Sequence, residues 1–143
     1  MMRCCLGKWK RGVLLCIAAC GLMTAASCGV EGRAAKKVAD LEYAVMEEND
    51  VPEELRAMME ERKAADFKMT YETEDALYIV HGYGEQETGG YSIQVKDCYL
   101  TENAIYFDTE LIGPRKGEQV SKSPSYPSIV VKTEKREESV IFN

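Results

Sequence analysis

Leu77-Tyr78-Ile79-Val80-His81-Gly82-Tyr83-Gly84-Glu85-Gln86-Glu87-Thr88-Gly89-Gly90-Tyr91-Ser92-Ile93-Gln94-Val95 holds two alternating runs separated by a glycine-rich break. In the first run Leu77, Ile79, His81 and Tyr83 share one face, and Tyr78, Val80 and Gly82 share the other. In the second, Tyr91, Ile93 and Val95 alternate with Ser92, Gln94 and Lys96. A period of two puts successive side chains on opposite faces of a strand, so both runs predict β-structure. Gly89-Gly90 between them can take the positive φ of a hairpin turn, and Tyr91 then opens the next strand.

The same reading extends in both directions. After Val95 the parity shifts and Cys98 and Leu100 become the apolar positions, which predicts a one-residue bulge near Lys96-Asp97. Thr101-Glu102-Asn103 is a short turn, and Ile105, Phe107, Thr109 and Leu111 continue on one face. A long loop over 112–127 contains three of the four prolines. Ile129-Val130-Val131 is a further strand, 134–138 a charged turn, and Val140-Ile141-Phe142 the last strand. Upstream, Phe67, Met69 and Tyr71 alternate with polar residues.

One segment has helical logic. Asp50-Val51-Pro52-Glu53 offers a capping residue, an early proline and an acid three after the cap. Glu53 and Glu54 suit the positive end of the helix dipole, and Arg62 and Lys63 the negative end. Leu55, Met58 and Met59 form one apolar stripe, which predicts a helix over 52–64 packed on a sheet. Before it, Leu41, Tyr43 and Val45 alternate with Glu42, Ala44 and Met46, predicting one strand; a helix over 33–46 is the rival. The sum is an α+β domain: one helix on a mainly antiparallel β-sheet, curled into a small sandwich or barrel. The absence of β-helix-β alternation argues against a doubly wound fold.

Composition places this domain. The chain has 143 residues, 45% hydrophobic and 29% charged, enough for one globular domain. Residues 1–27 hold Arg3, Lys8, Lys10 and Arg11 and no acid, so the rest carries a net charge of −10 against −6 for the whole. A body that acidic repels phosphates, which argues against a nucleic-acid partner. The leader has a charged region, an apolar run over 13–23 too short to span a bilayer, and the small residues Thr24-Ala25-Ala26-Ser27 before Cys28. This predicts a bacterial lipoprotein signal over 1–27, a tether over 28–36 and one domain over 37–143, lipid-anchored on the extracytoplasmic side of the cell membrane. Cys28 is the expected lipid attachment, although Ala25 stands where leucine is commonest. Cys20, after Ile17-Ala18-Ala19, is the alternative, at the cost of a shorter apolar region. A plain or uncleaved signal is the remaining reading. Of six cysteines only Cys98 then stays in the domain, which leaves no internal disulfide and no CxxC metal site.

Catalytic chemistry finds little footing. Gly84 and Gly89 have the spacing of half a P-loop, but Gly90-Tyr91 replaces the required lysine and hydroxyl residue. Glu87 occupies the third glycine position of a dinucleotide motif, and the loop's two glutamates repel phosphate, so neither nucleotide nor any other cofactor is expected. His81 is the sole histidine, with no GxSxG beside it, and reads as a satisfied strand residue. Cys98 reads as a small buried hydrophobe. No pair among the 24 acids stands out for glycoside cleavage. No catalytic or metal-binding residue is assigned, and the chain does not read as an enzyme. What remains is the loop Gln86, Thr88, Gly89, Gly90 and Tyr91, either a plain turn or a surface suited to adaptable contacts with a partner.

The stretch Gly82-Tyr83-Gly84-Glu85-Gln86-Glu87-Thr88-Gly89-Gly90-Tyr91-Ser92-Ile93 resembles the signature of the PrcB family, protease-complex subunits with a PrcB C-terminal domain. The family pattern continues with a Pro-Gly loop, here Gly113-Pro114-Arg115-Lys116-Gly117, and a Tyr-Pro before a strand, here Tyr126-Pro127. The resemblance covers residues 77–132. It implies a non-catalytic cell-envelope lipoprotein whose partner is an envelope or surface protein such as a protease. Thr88-Gly89-Gly90-Tyr91 is also similar to the T-T-G-Y/F loop of chagasin-type cysteine-protease inhibitors. Ile93 stands where that class has an aromatic, and the Arg-Pro-Trp loop is missing, the only tryptophan being Trp9 in the leader. Inhibition is therefore the alternative reading.

Overall fold

A computed structural model describes residues 35–143. The signal segment 1–27, both lipid-attachment candidates Cys20 and Cys28, and all but the end of the 28–36 tether lie outside the described residues.

The strands are β1 (Ala39–Asp40), β2 (Ala44–Val45), β3 (Asp66–Glu72), β4 (Ala76–Tyr83), β5 (Ser92–Leu100), β6 (Ala104–Ile112), β7 (Ser128–Glu134) and β8 (Ser139–Phe142), with one α-helix, α1 (Glu53–Arg62). They form two four-stranded sheets, ordered β1-β5-β6-β8 and β2-β7-β4-β3. Neighbours are antiparallel except β6 and β8, which are parallel. The sheets are open, so of the two expected closures the sandwich is correct and the barrel is not.

β4 explains the layering. Leu77 and Ile79 point between the sheets and pack with Ile105, Phe107, Ile129 and Val131. Tyr78 and Val80 point the other way and pack with Leu55, Met69 and Val130 under α1. A strand covered on both faces needs apolar residues at successive positions, and Leu77, Tyr78, Ile79 and Val80 are all buried. The described residues thus form three layers: helix, sheet, sheet. Met58 and Met59 pack half-buried against the helix-side core, as the stripe predicts.

Five local expectations need correction. The alternation at 41–46 is not one strand, nor the rival helix. β1 pairs with β5 in the first sheet and β2 with β7 in the second, while Leu41 is buried in the inter-sheet core between them. Asp50 does not cap α1; it lies in a short 3-10 turn, Glu48–Asp50, and Pro52 occupies the cap position without a side-chain bond. Gly89-Gly90 is not a hairpin turn, because β4 and β5 belong to different sheets and the chain crosses between them. Gly90 takes a positive φ of 86°, as does Gly84 at 72°, but Gly89 does not. Tyr91 precedes β5 instead of opening it, and Ile112 still belongs to β6. The bulge falls where the parity shift puts it, between Val95 and Asp97.

Candidate functional site

Two crossing connections, 84–91 between β4 and β5 and 113–127 between β6 and β7, meet at one end of the sandwich. The first leaves β4 through Gly84, where a Cβ would lie 3.0 Å from the backbone of Ala65 and Asp66. Gln86 and Ser125 then exchange both backbone bonds, at 2.8 and 3.0 Å. Gly89 N–H donates to the Ser121 carbonyl at 2.9 Å, and the Ser125 hydroxyl donates to the Thr88 carbonyl at 2.6 Å. At Gly90 a Cβ would collide with the Val120 side chain and crowd Pro114. Tyr91 lays its ring beside Gly113, whose own Cβ would be 3.4 Å from it. The two loops therefore form one braced surface.

The structure places the sequence-predicted loop residues unequally. Gln86 turns inward, its amide donating to the Tyr83 carbonyl at 3.1 Å. Thr88 is half-buried and donates to the adjacent Gly89 carbonyl at 3.1 Å. Tyr91 is half-buried, Gly89 likewise, and Gly90 is exposed. The face they share with 113–127 presents Glu85, Glu87 and the exposed stretch 121–124 to solvent.

Tyr126 was not assigned a role by sequence reasoning. It is 38% exposed, and its hydroxyl donates to Glu85 at 2.8 Å, which pushes its pKa up. The Lys63 ammonium lies 5.0 Å from its ring centroid. With Met46, Met59 and Phe67 it lines a groove of about 450 Å³ between α1 and the start of β7. The available signal was an aromatic before a proline, outside any alternation.

His81 is buried at 5% exposure in a second polar cluster. Its Nδ1 is 2.7 Å from Thr109 Oγ1, its Nε2 is 3.3 Å from Asp66, and the Tyr83 hydroxyl is 2.6 Å from the same Thr109 oxygen. In the neutral ring one proton arrangement satisfies all of them: Tyr83 donates to Thr109, Thr109 to Nδ1, and Nε2–H to Asp66. The His81 and Tyr83 rings also stack, with centroids 4.0 Å apart. Burial pushes the His81 pKa down, opposed by Asp66. The connectivity echoes a hydroxyl–histidine–carboxylate triad, but the hydroxyl already bonds Tyr83, and the cluster ties β4 to β6 across the layers. Cys98 is buried, which pushes its thiol up to about 11 and keeps it protonated and unreactive at neutral pH. Among the described residues no group of three histidine, cysteine or acidic side chains is placed to hold a metal, and no helix is long and apolar enough to cross a membrane.

Residues 77–134 match the family described as PrcB C-terminal. The matched span begins in β4 and ends with β7, so it holds both loops and the strands that carry them. No curated protein and no solved structure matches the chain.

Proposed function

We propose that this chain, whose residues 77–134 match the PrcB C-terminal family, is a non-catalytic accessory subunit that binds a surface protease or another envelope protein through its paired loops. The observation that carries the reading is the bracing of 84–91 against 113–127 inside the matched span. A surface already held in one shape loses little entropy on binding. Tyr126 at the groove lip supplies the amphipathic anchor that such surfaces favour. The anchor to the membrane is an acylated Cys28, or Cys20, and stable attachment requires more than one chain.

The test is cross-linked capture from native envelopes by the wild-type chain and by Thr88→Arg and Tyr126→Ala. A protease recovered by the wild type and lost in both folded variants supports the reading. Equal recovery by both variants moves the binding surface elsewhere. Inhibition of a papain-like protease at micromolar concentration, abolished by Thr88→Arg, would favour the inhibitor alternative instead. Fatty-acid labelling that is lost in Cys28→Ala identifies the anchor; loss in Cys20→Ala alone moves it.

A further inference from the structure

β5 uses its two flanks unequally. On one side β6 pairs it from Ser92↔Ile112 to Leu100↔Ile105. On the other, β1 pairs only Leu100 and Tyr99. The last backbone bond on that side runs from Leu41 N–H to the Cys98 carbonyl, at 3.2 Å. The chain then leaves for the other sheet, where β2 pairs Lys132 and Val131. One short edge segment thus serves both sheets. Among the described residues, 92–97 of β5 has no strand on the flank away from β6. Such an edge presents unpaired N–H and C=O groups.

Side chains mark the same gap. Ile93 and Val95 face the inter-sheet core yet remain only half-buried. On the facing sheet Val45 stands on the same side of β2 as its fully buried partner Val131, but is itself 58% exposed. Beside the edge, the outer face of the sheet is acidic. Asp97 and Asp108 are direct cross-strand partners; the cations nearby are Lys96, 3.8 Å from Glu110, and Lys37, which is paired with Asp40 and also feels Asp97.

We infer that the 92–97 edge of β5 receives an extended segment of a partner protein, apolar on its inward face and basic on its outward face. Main-chain bonds to β5 hold the segment. Its alternate apolar residues cover Ile93 and Val95, because side chains of neighbouring strands fall on common faces. Its lysines or arginines meet Asp97 on β5 and extend toward Asp108 and Glu110 on β6, one strand further in. The edge is distinct from the loop surface, and the inference stands whether or not those loops bind a protease.

The test uses the full chain and a short synthetic peptide alternating valine and lysine. Saturable binding is expected, with amide exchange slowed within 92–97 and not within 84–91. A fully N-methylated counterpart, which cannot donate backbone bonds, should bind at least about tenfold more weakly. A valine–glutamate peptide should also bind more weakly, and Thr88→Arg should bind the valine–lysine peptide unchanged. Absence of saturable binding, equal binding of the N-methylated peptide, protection confined to other residues, or loss of binding in Thr88→Arg would each overturn the inference.

Discussion

Gly90 meets two demands that a single methyl would break. Its φ of 86° is one that side chains disfavour, and the space its Cβ would need is filled by Val120. Gly89 has neither constraint: its φ is ordinary, and a Cβ would meet Ser121 at 3.4 Å. Urea denaturation should therefore separate neighbours that look identical in sequence. Gly90→Val should cost about 2–4 kcal/mol from backbone strain and overpacking, and Gly89→Ala under about 1 kcal/mol. His81 predicts a pH effect. Burial lowers its folded pKa, so near and below pH 6.5 the unfolded chain binds more protons than the folded one. Stability from this group is fully present above pH 6.5 and falls as the pH drops from there toward the folded pKa. Denaturation midpoints between pH 7.5 and about 5.5 should decline in the wild type and flatten in His81→Gln, if carboxylates contribute little in that window. A wild-type midpoint that stays level across that range would contradict the assignment.

At the scale of elements, α1 has no capping bond and only one fully buried side chain, Leu55. Packing against β3, β4 and β7 is then what holds it, more than local signals. Leu55→Ala should cost about 2–5 kcal/mol by fluorescence-monitored unfolding, whereas Asp50→Ala, at the position expected to cap, should cost well under about 1 kcal/mol. The contrast shows what the residues disclosed and what they withheld. Alternation revealed which residues face inward, and the parity shift revealed the bulge, because both are local consequences of the pleat. Alternation carries no mark of which sheet a strand joins. Leu41 to Met46 looks like one strand although the chain changes sheets within it, and Gly89-Gly90 looks like a hairpin although it crosses between layers. Tyr126 stands out in the family pattern, but its contact does not, for a related reason: its partner Glu85 is 41 residues away, beyond the reach of any periodicity.

The whole molecule hangs on its middle layer. β4 sends Ile79 into one core and Val80, the next residue, into the other. Neither cluster can open without withdrawing the strand that supports its neighbour. Heat should accordingly produce one transition, with calorimetric and van't Hoff enthalpies equal for the domain. Ile79→Ala and Val80→Ala, although they hollow opposite layers, should lower that same midpoint and leave it single. Two separable transitions in either variant would show that the layers melt on their own. A domain built this way should have no half-folded state to linger in: tension applied to the helix side is felt between the sheets, and a proteolytic enzyme would meet either an intact body or, briefly, an unravelled one.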